Sequence, residues 1–211
     1  GWFFKARIGA DQPLIVYYGG NAEDVSLNFS SLERFDTRSF LFMNYRGYGG
    51  SDGRPSQQAL CADALFVLDT VMKTEGINPG HVVLMGRSLG SGVAVYVAAR
   101  RKVGGVVLVT PFDSLTRVAQ THYPVFPVRL MLKHRFDSAS LAPGIETPAL
   151  FLAAANDQIV PVRLAESLEQ RWGGPTTFVT IADTDHNTIE TSSVYWEALN
   201  AFLRSDRRPT H

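Results

Sequence analysis

A chain of 211 residues, 45% hydrophobic and 19% charged, has the apolar mass for one sizeable core. Twenty Lys and Arg balance twenty Asp and Glu, so no net field gathers nucleic acid or another polyanion. The single cysteine, Cys61, closes no internal disulfide, and no apolar run reaches the roughly 18 to 20 residues of a membrane helix. One soluble domain over 1–211 is expected. The chain opens at Gly1-Trp2-Phe3-Phe4, without a methionine and in what reads as mid-strand. An upstream segment is therefore expected, and membrane association only through it. The location is then cytoplasmic, or membrane-associated if that segment carries an anchor.

In chain order, short apolar runs alternate with longer helical patterns, as in strands joined by crossover helices. Trp2 to Ala6 reads as an edge strand and Leu14 to Tyr18 as the first interior one, followed by a helix over Glu23 to Phe35. Strand Ser39 to Met43 leads to a helix over about Ser56 to Glu75, whose buried face is Leu60, Ala64, Val67, Leu68 and Val71, with Cys61 flanking it. Then come strand Val82 to Met85, helix Leu89 to Arg101, and strands Val106 to Val109 and Ala149 to Ala153. Helix Val162 to Trp172, strand Phe178 to Ile181 and helix Ser193 to Arg204 complete the pattern. Strands apolar at nearly every position fit a parallel sheet covered on both faces. The fold expected is α/β, a doubly wound, mostly parallel sheet with sites at the carboxyl ends of its strands.

Gly-x-Ser-x-Gly occurs twice, at Gly49-Gly50-Ser51-Asp52-Gly53 and at Gly86-Arg87-Ser88-Leu89-Gly90. Context separates them. Ser88 directly follows a strand and directly precedes a helix, where a sharp turn strains the serine backbone and flanking glycines remove Cβ clashes. Ser51 lies in a glycine-rich loop, with Arg54-Pro55 before the next helix, and reads as turn chemistry. Against a nucleophilic Ser88 stands the plainer reading of a tight structural turn.

A serine hydroxyl needs a base, and imidazole suits that task. His81 precedes its strand, His211 is terminal, and His122 and His134 lie in an irregular segment. His186, just past the final strand, is the expected base. The acid that orients the imidazole is expected to be Asp157, past strand Ala149 to Ala153, with Asp113 as the rival one strand earlier. Asp183 and Asp185 sit too close to His186 and read as turn residues. The oxyanion donors are expected to be the backbone amides of Leu89 and Asn21. Asn21 also fits a helix N-cap, and the two roles are compatible.

Gly19-Gly20-Asn21-Ala22, Asn44-Tyr45-Arg46-Gly47-Tyr48-Gly49-Gly50-Ser51, Gly86-Arg87-Ser88-Leu89-Gly90 and the Asp157 and His186 loops together span most of the chain. In that order they resemble the serine hydrolases of the α/β-hydrolase superfamily, within its compact, small-lid branch of carboxylesterase-like and protein-depalmitoylating members. The resemblance implies an α/β-hydrolase fold, an acyl-enzyme mechanism, and Ser51 in a structural loop. It also implies that one or two opening strands of the sheet lie before Gly1. Two departures stand out: Gly19-Gly20 replaces a common His-Gly, and Asn44 stands where an aspartate is common.

Substrate choice in such folds tends to lie in the insertion above the sheet, here Ser114 to Glu146. Gly20, Tyr123 and Phe126 are expected to contact substrate. Tyr123 to Val128 and Leu130 to Leu132 either line an acyl pocket, present an apolar surface to lipid, or simply pack the segment onto the body. Lys133-His134-Arg135 reads as a solvated charge cluster. So short an insertion favours short acyl esters in solution, because each methylene gains about 0.8 kcal/mol only while the pocket lasts. A groove formed around Val125 to Leu132, or docking of that stretch on a bilayer through the missing N-terminus, would reverse that preference. No nucleotide-binding or metal-protease motif is present, so no cofactor or metal is expected. The activity expected is hydrolysis of a small-molecule ester. A thioester or peptide substrate on the same triad is one alternative, and a catalytically silent binding module of the same fold is the other.

Overall fold

Strands β1 (Trp2–Phe4), β2 (Leu14–Tyr18), β3 (Ser39–Met43), β4 (Val82–Arg87), β5 (Gly105–Val109), β6 (Ala149–Ala154) and β7 (Thr176–Ile181) pair into one sheet. The computed structural model describes residues 1–5, 13–35 and 38–205, so Ala6 of the expected edge strand and His211 lie outside the described residues. The order is β1-β3-β2-β4-β5-β6-β7. Only β1 runs antiparallel to its neighbour, with Phe3 opposite Leu41 on β3. The remaining pairs are parallel.

Alternate residues of each strand enter opposite cores, which is why the strands read as unbroken apolar runs. Leu14, Val16 and Tyr18 meet one cluster with Leu84, Leu108 and Phe151. Helices α1 (Gln57–Glu75), α2 (Leu89–Ala98) and α6 (Val162–Glu169) cover that face, supplying Leu60, Leu68, Val93 and Leu164. Ile15, Tyr17, Phe40, Phe42, Met85 and Val107 form the other cluster. There α7 (Ser193–Ser205) packs through Tyr195, Leu199 and Leu203.

The α1 pattern is borne out: Ser56 caps its first turn, Leu60, Ala64 and Leu68 are buried, and Gly76 ends it in the left-handed region. The expected helix over Glu23 to Phe35 is instead a 3₁₀ helix, Val25–Arg34, capped by Asp24. Ser26, Asn28, Ser30 and Ser31 are weak α formers, and Val25 alone is buried, so little packing enforces the α form. Helices α2 and α6 also stop about one turn earlier than their patterns suggested. The segment from Ser114 holds three short helices, α3 (Leu115–His122), α4 (Val128–Met131) and α5 (Ser138–Leu141).

From β2 the chain steps to β3 on one side, and from β4 onward it proceeds to the other. The connections therefore diverge between β2 and β4, leaving a crevice at their carboxyl ends. Helix α2 starts in that crevice, pressed against the end of β2. A Cβ on Gly90 would lie 2.0 Å from the Tyr18 carbonyl oxygen, and one on Gly86 2.3 Å from that of Gly90.

Gly90→Ala should therefore lower stability by about 3 kcal/mol despite alanine's better helix propensity, because backbone must move to admit the methyl. Gly144→Ala, where nothing lies within 4 Å of the added atom, should leave the urea midpoint unchanged. Burial pushes the Cys61 thiol up to about 11. The native protein should thus be inert to Ellman's reagent at neutral pH and react stoichiometrically once unfolded.

Candidate active site

Ser88 bridges β4 and α2 with φ 51° and ψ −116°, a conformation that costs a non-glycine residue of order 1–3 kcal/mol. Neighbouring backbone holds it there. The Ser88 amide donates to Val109 O at 2.9 Å, while the Ser91 amide and hydroxyl donate to Ser88 O at 2.9 and 2.6 Å. The turn lifts the hydroxyl above the strand ends.

His186 lies in the loop after β7, with Nε2 2.9 Å from Ser88 Oγ and Nδ1 2.7 Å from Asp157 Oδ2. The loops after β6 and β7 meet because pairing continues past both strands. Ala155 donates to Ile181 O at 3.0 Å and Asn156 to Thr184 O at 2.9 Å. Asp157 is buried, and its other oxygen accepts the Ile159 and Val160 amides at 2.9 and 2.7 Å. Those amides fix the carboxylate, leaving Oδ2 for the imidazole.

Asp113, the rival acid, is also buried but pairs with Arg117, whose guanidinium additionally reaches Ser167 Oγ at 2.9 Å. The structure brings Asp157, not Asp113, to His186. Asp185 accepts the Asn187 and Thr188 amides, as expected of a turn residue, and those bonds hold its carboxyl below the usual range. Ser51 sits in its own turn, its amide on Tyr48 O and its hydroxyl 3.4 Å from Asn44 O.

Leu89 occupies the first position of α2, where an amide has no intrahelical acceptor. Across the crevice, the loop after β2 is built around Glu23. Its carboxylate accepts the Gly20 amide at 2.6 Å, the Tyr17 hydroxyl at 2.9 Å and Asn28 Nδ2 at 2.7 Å. Burial, then the charge of Glu23, holds the Tyr17 phenol well above its ordinary range, so it stays a donor. Gly20 spends its amide on Glu23, whereas the amide of its neighbour Asn21 has no acceptor among the described residues. The side chain of Asn21 accepts the Tyr48 hydroxyl at 2.7 Å, and the N-cap role belongs to Asp24. Gly20 itself borders Ser88: a Cβ there would lie 3.7 Å from Ser88 Cβ.

Asn44 explains its own departure from aspartate. Its Nδ2 donates to Asp24 at 3.1 Å while Oδ1 accepts the Val25 amide at 3.0 Å. A carboxylate at position 44 would face that of Asp24.

Sequence reasoning missed Arg87 and Glu23. Arg87 reaches Glu23 at 3.3 Å, the His186 carbonyl at 3.1 Å and Asn187 Oδ1 at 3.2 Å, linking the loops after β2 and β7 beneath Ser88. The only signal was a charged residue inside the elbow motif. A cleft of about 380 Å³ opens at Ser88, with Leu89, Phe112, Val118, Phe136 and Ile159 among its walls. Tyr123 and Phe126 are not in that cleft. They line an adjoining groove of about 630 Å³, and Leu115 and His134 border both spaces. His134 is thus a wall of the site, with Nδ1 3.4 Å from the Gln57 amide, and not merely part of a solvated cluster.

The family model described as serine hydrolase matches residues 57–205. The protein Rv2307c of Mycobacterium tuberculosis (strain ATCC 25618 / H37Rv) is 34% identical over 207 residues, covering 96% of this chain and 74% of its own. Alpha/beta hydrolase domain-containing protein 17B of Xenopus laevis is 27% identical over 91% of this chain, which spans 66% of that relative's length. Among solved structures, the acetyl xylan esterase from Paenibacillus sp. R4 superposes with a TM-score of 0.76 at 18% identity, covering 97% of this chain and 78% of its own. That likeness reports the fold. With the family match spanning more than half of the chain, this protein belongs to the serine hydrolase family of the α/β-hydrolase superfamily.

Proposed function

We propose that this hydrolase cleaves carboxylic esters through an acyl-enzyme intermediate on Ser88. The observation that carries the reading is the position of His186, hydrogen-bonded to Ser88 Oγ through one ring nitrogen and to Asp157 through the other. In the first step Ser88 Oγ attacks the ester carbonyl and its proton passes to His186 Nε2. The oxygen that gains charge is met by the Leu89 and Asn21 amides, whose positions cost no reorganisation as the charge develops. Collapse expels the alkoxide, which takes the proton from His186 Nε2 and leaves as an alcohol. Water then repeats the sequence on the acyl-Ser88 ester, releasing the acid and restoring the serine. Asp157 holds Nδ1–H throughout and stabilises the imidazolium.

Within this reading, residues 1–211 act as one hydrolase domain and 114–146 serve as a short lid. Leu115, Val118, His134 and Phe136 support that role as walls of the cleft at Ser88. Arg87 and Glu23 act as positioning residues, since they fix the loops that carry His186 and Asn21.

A fluorophosphonate should add to Ser88 and to no other serine, because Ser51 has only a carbonyl beside its hydroxyl. Peptide mapping of the adduct checks this, and an adduct on Ser51 would overturn the nucleophile. Asp157→Asn should lower kcat by about 10⁴-fold, the scale set by a misoriented tautomer. Asp113→Asn should retain turnover. The reverse pattern, with both variants matching the parent in circular dichroism, would move the acid to Asp113.

A further inference from the structure

Five of the eleven large exposed apolar side chains among the described residues fall between Tyr123 and Met131. The other six are scattered along the chain, as on any protein surface. Val125 and Leu130 are 86% and 84% exposed. Local geometry keeps them outward. Pro124 and Pro127 bracket Val125 and Phe126, and α4 turns Val128 inward while Arg129, Leu130 and Met131 face out. The segment is anchored where it rejoins the body: Gln57 Oε1 accepts the Arg135 and Phe136 amides at 2.9 and 3.2 Å.

Charge along this segment has one sign. No Asp or Glu occurs from Ser114 through Phe136, although the whole chain is formally neutral. Arg117 is taken by Asp113. Arg129, Lys133 and Arg135 are exposed and have no carboxylate partner among the described residues. Apolar side chains flanked by unpaired cations form the pattern that lies in a membrane interface, with the cations among anionic headgroups. No helix among the described residues is long and apolar enough to cross a bilayer.

Behind the patch runs the apolar groove of about 630 Å³, lined by Tyr123, Phe126, Val128 and Met131. Leu115 and His134 form the boundary it shares with the cleft at Ser88. Leu115 lines both spaces, and Leu89, Phe112, Val118 and Phe136 give the cleft at Ser88 an apolar wall beside the polar Gln57 and His134.

We propose that the Tyr123–Arg135 face docks on the surface of an anionic bilayer and that the groove draws an acyl chain from it toward Ser88. The proposal rests on the hydrolase reading only for what happens to that chain. It assigns the substrate class as acyl groups embedded in a membrane, in place of the short soluble esters that the length of the insertion suggested.

The test uses the full chain carrying Ser88→Ala, which cannot turn over lipid, in co-sedimentation with phosphatidylcholine vesicles with and without phosphatidylserine. Binding is expected to the phosphatidylserine vesicles and to weaken with salt. The pair Arg129→Glu and Arg135→Glu should weaken it by about tenfold or more. Val125→Ser with Leu130→Ser should weaken it at every salt concentration. In the Ser88 parent, both pairs should keep the melting temperature and the turnover of a short soluble ester. Absence of binding to either vesicle, or unchanged binding by both pairs, overturns the proposal. So does a dimer in sedimentation equilibrium that Val125→Ser with Leu130→Ser dissolves, because a second copy then covers the face. Vesicle binding by a protein whose Ser88 ignores fluorophosphonate sinks the hydrolase reading and leaves the docking intact. A labelled Ser88 without vesicle binding does the opposite.

Discussion

Contact between the start of α2 and the carboxyl end of β2 is the constraint on which the rest of the site depends. Gly90 lies so close to the Tyr18 carbonyl that no side chain fits, and Gly86 lies nearly as close to Gly90. This contact forces the chain between them into the left-handed turn at Ser88, which neighbouring backbone bonds then hold. A serine in relaxed extended or helical backbone would point its hydroxyl along the sheet or into α2. Strain here is a local cost carried by the burial of β4, β5 and α2 on either side.

A second layer of constraint keeps the partners of Ser88 in register. Asp157 and His186 come from adjacent strands whose pairing runs on into their loops, so their separation is set by the sheet. The opposite wall of the crevice depends on Glu23, which gathers Gly20, Tyr17 and Asn28 and meets Arg87. Arg87 is the residue before Ser88 and also donates to the His186 carbonyl. One side chain therefore couples three loops, and a site built this way is preorganised before substrate arrives.

How much of this could be read beforehand differs by element. The sheet was legible because strands buried on both faces leave unbroken apolar runs, as Val82 to Met85 and Val106 to Val109 do. Ser88 was legible because glycine spacing and strand-turn-helix context record a steric requirement directly in sequence. The choice between Asp157 and Asp113 was not, since both follow parallel strands, and only the Arg117 partner and the β6–β7 loop pairing distinguish them. Nor was the 3₁₀ helix at Val25–Arg34, where apolar residues occur at helical spacing but few are buried. The Glu23–Arg87 link joins residues 64 positions apart, beyond the reach of any local pattern. Tyr123 and Phe126 stand out in the sequence as apolar residues of the insertion, but their place in the outer groove and not beside Ser88 depends on the path of the whole segment.

The proposed reaction requires Ser88 to become covalently acylated during turnover. Rapid-quench mass spectrometry with a p-nitrophenyl ester, run alongside the release of p-nitrophenol, tests this directly. The protein should gain one acyl mass on the peptide containing Ser88, in step with a stoichiometric burst of p-nitrophenol, and Ser88→Ala should show neither. Steady turnover with no acylated protein, or a burst that survives Ser88→Ala, would contradict it.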